Sequence, residues 1–169
     1  MIIDLYKLGQ EDYKFKTIVE KSNELVHKIY WDGSELNVML NNTIIKYNAS
    51  NDKKEEFKIS ELNAINLDIN NNKIAYISAE RDKANYVLNI AKYNGKIKGE
   101  ADINEAPKHF VYESGLVYVC SQKQINIYNT LGMNVKNYES DITITKPIIF
   151  NDGKNVAFSV SNRVTIFEI

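Results

Sequence analysis

Ile125-Asn126-Ile127-Tyr128 is one of five copies of a short frame: Ile or Val, two variable residues, then an aromatic ring. The others are Ile3-Asp4-Leu5-Tyr6, Ile44-Ile45-Lys46-Tyr47, Ile90-Ala91-Lys92-Tyr93 and Val164-Thr165-Ile166-Phe167. From ring to ring the steps are 41, 46, 35 and 39 residues. A single copy carries no information in a chain this rich in Ile and Tyr, but even spacing over the whole length marks an internal repeat.

A second signal runs in phase with the first. Gly- or Asn-rich turns at Trp31-Asp32-Gly33-Ser34, Asn70-Asn71-Asn72-Lys73, Glu113-Ser114-Gly115 and Asn151-Asp152-Gly153-Lys154 each precede an apolar segment. Those segments, such as Leu116-Val117-Tyr118-Val119-Cys120, lack the polar alternation of a half-exposed strand, so both faces must be covered. Leu36, Ile74, Leu116 and Val156 are expected to share one face of the repeat.

Each unit therefore reads as four antiparallel strands a to d, the blade of a β-propeller. The expected fold is all-β, a propeller or partial propeller of about four blades within a single domain, 1–169. Its parts are a partial blade 1–20, blades 24–60, 61–104 and 105–141, and an incomplete blade 142–169. The expected strands run over 2–8 and 13–19, then 27–31, 35–40, 43–48 and 56–60. They continue over 64–69, 73–79, 86–93 and 96–103, over 109–112, 116–121, 124–129 and 134–138, and over 146–150, 155–161 and 163–169. Pro147 falls near a strand start, where a missing N–H is tolerated. The stretch Glu20 to Val26, the best helical candidate, is too short and poorly patterned to compete with a loop.

Composition agrees with many short strands and tight turns. Asn and Ile each occur 22 times, Tyr 11 times, and there are only 7 Gly and 2 Pro; Ile and Tyr favour strands, Asn favours turns. The 21 basic side chains against 22 acidic ones exclude an electrostatic case for nucleic acid. No apolar run reaches the roughly 20 residues of a spanning helix, and Asp4 interrupts any leader-like start, so no direct membrane contact is expected. One Cys excludes an internal disulfide.

With these units in place the chain resembles the β-propeller superfamily, in particular quinoprotein-like and WD40-like repeats and membrane-anchored propeller domains of Gram-positive bacteria. The resemblance implies a bacterial parent protein, anchored and extracytoplasmic, and carries over no catalytic residue. Trp31-Asp32 looks like a WD dipeptide but falls in the a-to-b turn instead of ending strand c, and the Gly-plus-Trp pattern of quinone enzymes is missing.

The chemical candidates each reduce to structure. His27 and His109 open equivalent strands, and Cys120 lies in an apolar strand, where a thiol is inert. Asn66-Leu67-Asp68-Ile69-Asn70 starts like a calcium loop, but Asn71 stands where Gly is needed and Ile77 where a carboxylate is. The sequons at Asn41 and Asn48 follow from Asn abundance. No catalytic, cofactor-binding or metal-binding residue is therefore expected, nor a cofactor, nor enzyme activity.

Lys53-Lys54-Glu55-Glu56 and Glu80-Arg81-Asp82-Lys83 read as solvated hairpin turns. The b-to-c and d-to-a connections of a propeller share one rim, which gathers Arg81, Lys83, Lys108, Lys123, Lys146 and Arg163 beside Glu61 and Glu105 as the candidate binding rim. The expected function is a noncatalytic binding or protein-interaction module, the C-terminal part of a larger propeller protein. The alternatives are a fragment of a propeller enzyme with its catalytic residues in missing blades, and a structural spacer. A protein partner is expected, and so is homo-oligomerisation through 2–19 and 155–169.

Overall fold

The computed structural model describes residues 2–6, 14–19, 23–58, 64–70, 73–79, 85–92, 94–145, 147–150, 153–160 and 163–169; of 14, 15, 32, 64–70 and 160 it describes the backbone alone. Among the described residues there are 17 strands and no helix. No helix there is long and apolar enough to cross a membrane.

The chain forms two compact units, 1–58 and 59–169. In the first, β1 (Ile3–Tyr6) pairs with β2 (Lys14–Val19), and β3 (Val26–Asp32), β4 (Glu35–Leu40), β5 (Thr43–Asn48) and β6 (Lys53–Lys58) form a meander in sequence order. The second unit has two four-stranded meanders and a three-stranded one. They are β7 (Ala64–Asn70), β8 (Lys73–Ala79), β9 (Tyr86–Lys92) and β10 (Ile97–Ile103); β11 (His109–Glu113), β12 (Leu116–Cys120), β13 (Gln124–Tyr128) and β14 (Asn134–Glu139); and β15 (Ile148–Phe150), β16 (Asn155–Val160) and β17 (Arg163–Glu168). All pairings are antiparallel.

Cross-strand register gives the frame its structural meaning. Tyr47 pairs with Leu36, Tyr128 with Val117 and Phe167 with Val156, so in these three copies the aromatic residue stands opposite the second residue of the preceding strand; Tyr6 instead pairs with Lys14, and Tyr93 lies outside the described residues. This corrects the expected position of Leu116. Ser114 and Gly115, both at positive φ (50° and 80°), make a two-residue turn that pairs Glu113 directly with Leu116, and Val117 takes the place equivalent to Leu36.

Alternate residues of one strand feed two cores. In β12, Val117 and Val119 join Tyr112 and Tyr128 against Ala75, Ile77, Leu88 and Ile90 of the preceding sheet. Tyr118 and Cys120 point the other way and, with Ile125 and Ile127, meet Val156 and Phe158 of the last sheet. There Tyr138, Phe158 and Phe167 cluster, with ring centroids 4.8 to 6.0 Å apart. A sheet stacked between two others has no wet face, which explains the missing polar alternation.

In the first unit Ile18 and Val19 pack on Leu36, Val38, Leu40, Ile45 and Tyr47, with Ile3 and Leu5 at the edge. The Tyr47 hydroxyl donates to Asp52 at 2.9 Å, and Lys16 pairs with the same carboxylate while lying 5.2 Å from the centre of the Tyr47 ring. The charge run Lys53-Lys54-Glu55-Glu56 is not a turn, as its composition suggested, but the body of β6. The turn lies before it, held by Ser50 and Asn51 N–H groups donating to Asn48 Oδ1 and by Asp52 at φ 56°. An outermost strand is largely wet, so alternating charge costs it little; Glu55 and Phe57 are half-buried while Lys53, Lys54 and Glu56 are exposed.

Candidate functional site

The site is a groove on one rim of the second unit, assembled by three local devices. The Ser121 N–H donates to the Gln124 carbonyl at 2.9 Å and Ser121 Oγ accepts from the Gln124 N–H at 3.2 Å, closing the β12–β13 turn. The Lys108 N–H donates to the Cys120 carbonyl at 2.7 Å, which ties the β10–β11 connection to the end of β12. The Ser140 N–H donates to the Lys123 carbonyl at 2.8 Å and fixes the end of β14 beside the same turn.

These devices bring the end of β10 and its connection, Asp102 to Glu105, opposite Ser121, Gln124 and Asn126, with Asn134 and Glu139 of β14 on the flank. The space between them is about 250 Å³. Two side-chain bonds order its wall: Gln124 Nε2 donates to Glu139 Oε1 at 3.2 Å, and Asn134 Nδ2 donates to Asn126 Oδ1 at 3.3 Å. Tyr128 also lines it, and burial raises its hydroxyl pKa, the Asn134 hydrogen bond opposing the shift.

The groove therefore presents three carboxylates, Asp102, Glu105 and Glu139, amid side-chain amides, and among the described residues no Lys or Arg lines it. Its chemistry is that of a cradle for ammonium, guanidinium and backbone amide groups. Among the described residues no cluster of three or more His, Cys, Asp or Glu could hold a metal ion.

Of the expected binding rim, Lys108, Lys123 and Arg163 are exposed, and Glu105 is exposed and lines the groove. Lys108 and Lys123 do share a rim, since both flank the end of β12. None of the three described basic residues lines the groove, whereas Glu105 of the same rim does. Arg81, Lys83, Lys146 and Glu61 lie outside the described residues. Sequence reasoning missed Asp102, Glu139, Asn126 and Asn134, which fall within strands; the run Asp102-Ile103-Asn104-Glu105, with three polar members beside the rim, was the available signal.

Cys120 is 1% exposed, and burial pushes its thiol up to about 12, so it is protonated at neutral pH and no nucleophile there. His27 and His109 are half-buried in β3 and β11. A second hollow of about 160 Å³ in the first unit has its charges matched internally, with Lys46 2.8 Å from Glu35 and Lys53 2.5 Å from Glu55.

The family described as a family of unknown function, DUF5711, matches residues 2–169. The chain belongs to the DUF5711 family. No curated protein matches this DUF5711 sequence. Among solved structures it is similar to Hsv2 of Kluyveromyces marxianus, at 17% identity and TM-score 0.62, over 94% of this chain and 51% of that one. It is similar to Raptor of Chaetomium thermophilum, at 10% identity and TM-score 0.69, over 99% of this chain and 17% of that one. It is also similar to BBS1N crystallised in complex with ARL6DN, at 13% identity and TM-score 0.62, over 99% of this chain and 59% of that one. The DUF5711 chain spans about half the length of Hsv2 and less than two thirds of each of the others. The likeness shows the fold, which is all-β and that of a partial β-propeller.

Proposed function

We propose that this DUF5711 chain is a noncatalytic protein-interaction module that receives a basic, extended segment of a partner in the groove between β10 and the β12–β14 region. The observation carrying this reading is the groove's composition: three carboxylates and several amides converge on about 250 Å³, and among the described residues no lysine or arginine lines it. Backbone of a bound segment pairs with the Asn and Gln amides, and a Lys or Arg side chain meets Asp102, Glu105 and Glu139. BBS1N, a structural neighbour, is crystallised with a protein bound, which supports a propeller of this kind serving recognition.

The chain is part of a longer propeller in this reading, supported by its covering only 51% and 59% of two chains it matches, and the reading has that parent membrane-anchored and extracytoplasmic. The reading also has the chain associating with itself.

Fluorescence anisotropy with labelled peptides tests the recognition claim. A Lys- and Arg-containing peptide binds, its Gln-substituted counterpart binds about tenfold or more weakly, and the paired change Asp102→Asn with Glu105→Gln removes the difference. Equal binding of both peptides, or none of either, contradicts the reading.

A further inference from the structure

The groove's volume of about 250 Å³ falls below the roughly 300–1,000 Å³ of small-molecule sites, so it takes one long side chain of a partner with its adjoining backbone. Burial grades its lining. Ile103, Val119 and Tyr128 are 2% to 6% exposed and belong to the apolar core between the sheets β7–β10 and β11–β14, so the groove is where that core opens at the rim. Asp102, Glu105 and Glu139, on the same lining, are exposed. A side chain that matches both parts has a long apolar stem and a cationic end, which leaves lysine and arginine.

Hydrogen-bond accounting separates the two. The Gln124 Nε2 bond to Glu139 Oε1 fixes which way the amide points, so Gln124 Oε1 remains an acceptor beside Glu139 Oε2, and neither oxygen has a partner among the described residues. Ser121, 6% exposed, spends one lone pair on the Gln124 N–H and keeps the other. Across the groove, Asp102 and Glu105 have no hydrogen-bond or ion-pair partner among the described residues. Acceptors therefore stand on two facing walls. A guanidinium donates along several edges of one plane and meets both walls together, whereas an ammonium is a compact point charge, more strongly hydrated and costlier to bring against a buried apolar lining. Tyr128 adds an aromatic side chain to that lining, a neighbour that favours the guanidinium again.

We infer that the groove selects arginine over lysine in the partner segment, and that Gln124 sets this preference by holding Glu139 in the wall and offering Oε1 beside it. The inference rests on the recognition of a basic segment in the proposed function and names the residue recognised. The Gln124 side chain is separable from the fold at this point. Both bonds that close the β12–β13 turn use the Gln124 main chain, its carbonyl accepting from the Ser121 N–H and its N–H donating to Ser121 Oγ. Replacing the side chain by methionine keeps its length and removes only the amide.

Fluorescence anisotropy on the whole chain, with labelled peptides that differ only in a single central Arg, Lys or Gln, tests this. The Arg peptide binds about tenfold or more tightly than the Lys peptide. Gln124→Met weakens the Arg peptide about tenfold and moves the Lys peptide less than about twofold. Thermal melts check that the variant folds, and Glu139→Gln, which removes the charge that Gln124 holds, erases the Arg preference by a second route. Lys binding as tightly as Arg, with both above Gln, overturns the selectivity while leaving recognition of a basic segment standing. An Arg preference that survives Gln124→Met overturns the part given to Gln124. Arg and Lys peptides that bind no better than the Gln peptide overturn the proposed function and the inference with it.

Discussion

Gly99 of β10 and Gly132 of the β13–β14 turn meet backbone to backbone. A Cβ on Gly99 would stand 2.3 Å from the Leu131 carbonyl carbon, and one on Gly132 would stand 2.3 Å from the Glu100 carbonyl oxygen. The turn is held in place by Asn129, whose Oδ1 accepts from the Leu131 and Met133 N–H groups at 2.9 and 3.1 Å, with Gly132 at φ 80°. Two successive sheets of the second unit are thereby pressed together outside their apolar core.

Replacing either glycine by alanine follows directly from that contact. Gly99→Ala is expected to destabilise by about 1–3 kcal/mol through overpacking, and Gly132→Ala by about 2–4 kcal/mol because left-handed strain adds to it. The double variant should lose less than the sum, since both methyls intrude on one contact. Urea denaturation of the three variants checks this; losses under about 0.5 kcal/mol would place the turn away from β10.

The aromatic frame predicts unequal costs for chemically equal changes. Tyr128 is 6% exposed inside the core between two sheets, whereas Tyr6 is 57% exposed. Tyr128→Ala should cost about 3–5 kcal/mol and Tyr6→Ala no more than about 0.5 kcal/mol. Comparable midpoints for the two variants would refute the register that sets Tyr128 opposite Val117.

Much of this was legible because the frame encodes register. Ile125, Ile127 and Tyr128 point to alternate faces, so a four-residue pattern announces a strand buried on both sides. Errors came where one-dimensional composition stands in for direction. Lys53 to Glu56 read as a turn because an edge strand and a solvated hairpin draw on the same residues. Whether a rim side chain such as that of Lys108 or Lys123 turns outward or into a groove depends on strand ends, which composition does not specify. Asp102 and Glu139 line the groove only because β10 and β14 end side by side, a tertiary coincidence invisible in either segment alone.

Alkaline unfolding should begin with buried acids that resist ionisation. Burial raises Tyr118 to about 12 from the ordinary 10.0, with Glu113 adding to the shift, and raises Cys120 to about 12 from 9.0. Tyr112 and Tyr128 are raised as well, again by burial. A folded-state pKa above the unfolded one gives stability that is complete below the unfolded value and lost as pH climbs through the folded one. Stability is therefore expected to hold up to about pH 9 and to fall between about 9 and 12, Tyr118 alone accounting for on the order of 2–3 kcal/mol by the upper limit. Tyrosinate absorbance appearing in step with loss of the β signal is the expected result; full ionisation near pH 10 without unfolding would show these hydroxyls to be wet.

The Tyr118 hydroxyl also donates to the Gly153 carbonyl at 2.5 Å, joining β12 to the turn before β16. Tyr118→Phe keeps the ring and orphans that carbonyl, so a loss of about 1–3 kcal/mol is expected, visible as a lowered thermal midpoint. No change would mean that water replaces the hydroxyl.

The central claim is that recognition takes place in the acidic, amide-lined groove of the second unit. Its most direct test is a nuclear magnetic resonance titration of the labelled protein with a Lys- and Arg-containing peptide, following backbone amides residue by residue. The account predicts saturable shifts concentrated at Asp102 to Glu105, Ser121 to Asn126 and Asn134 to Glu139, weakening as salt is raised because the carboxylates are partly screened. Shifts that leave those three segments untouched and gather elsewhere, or a protein unperturbed at saturating peptide, would contradict it.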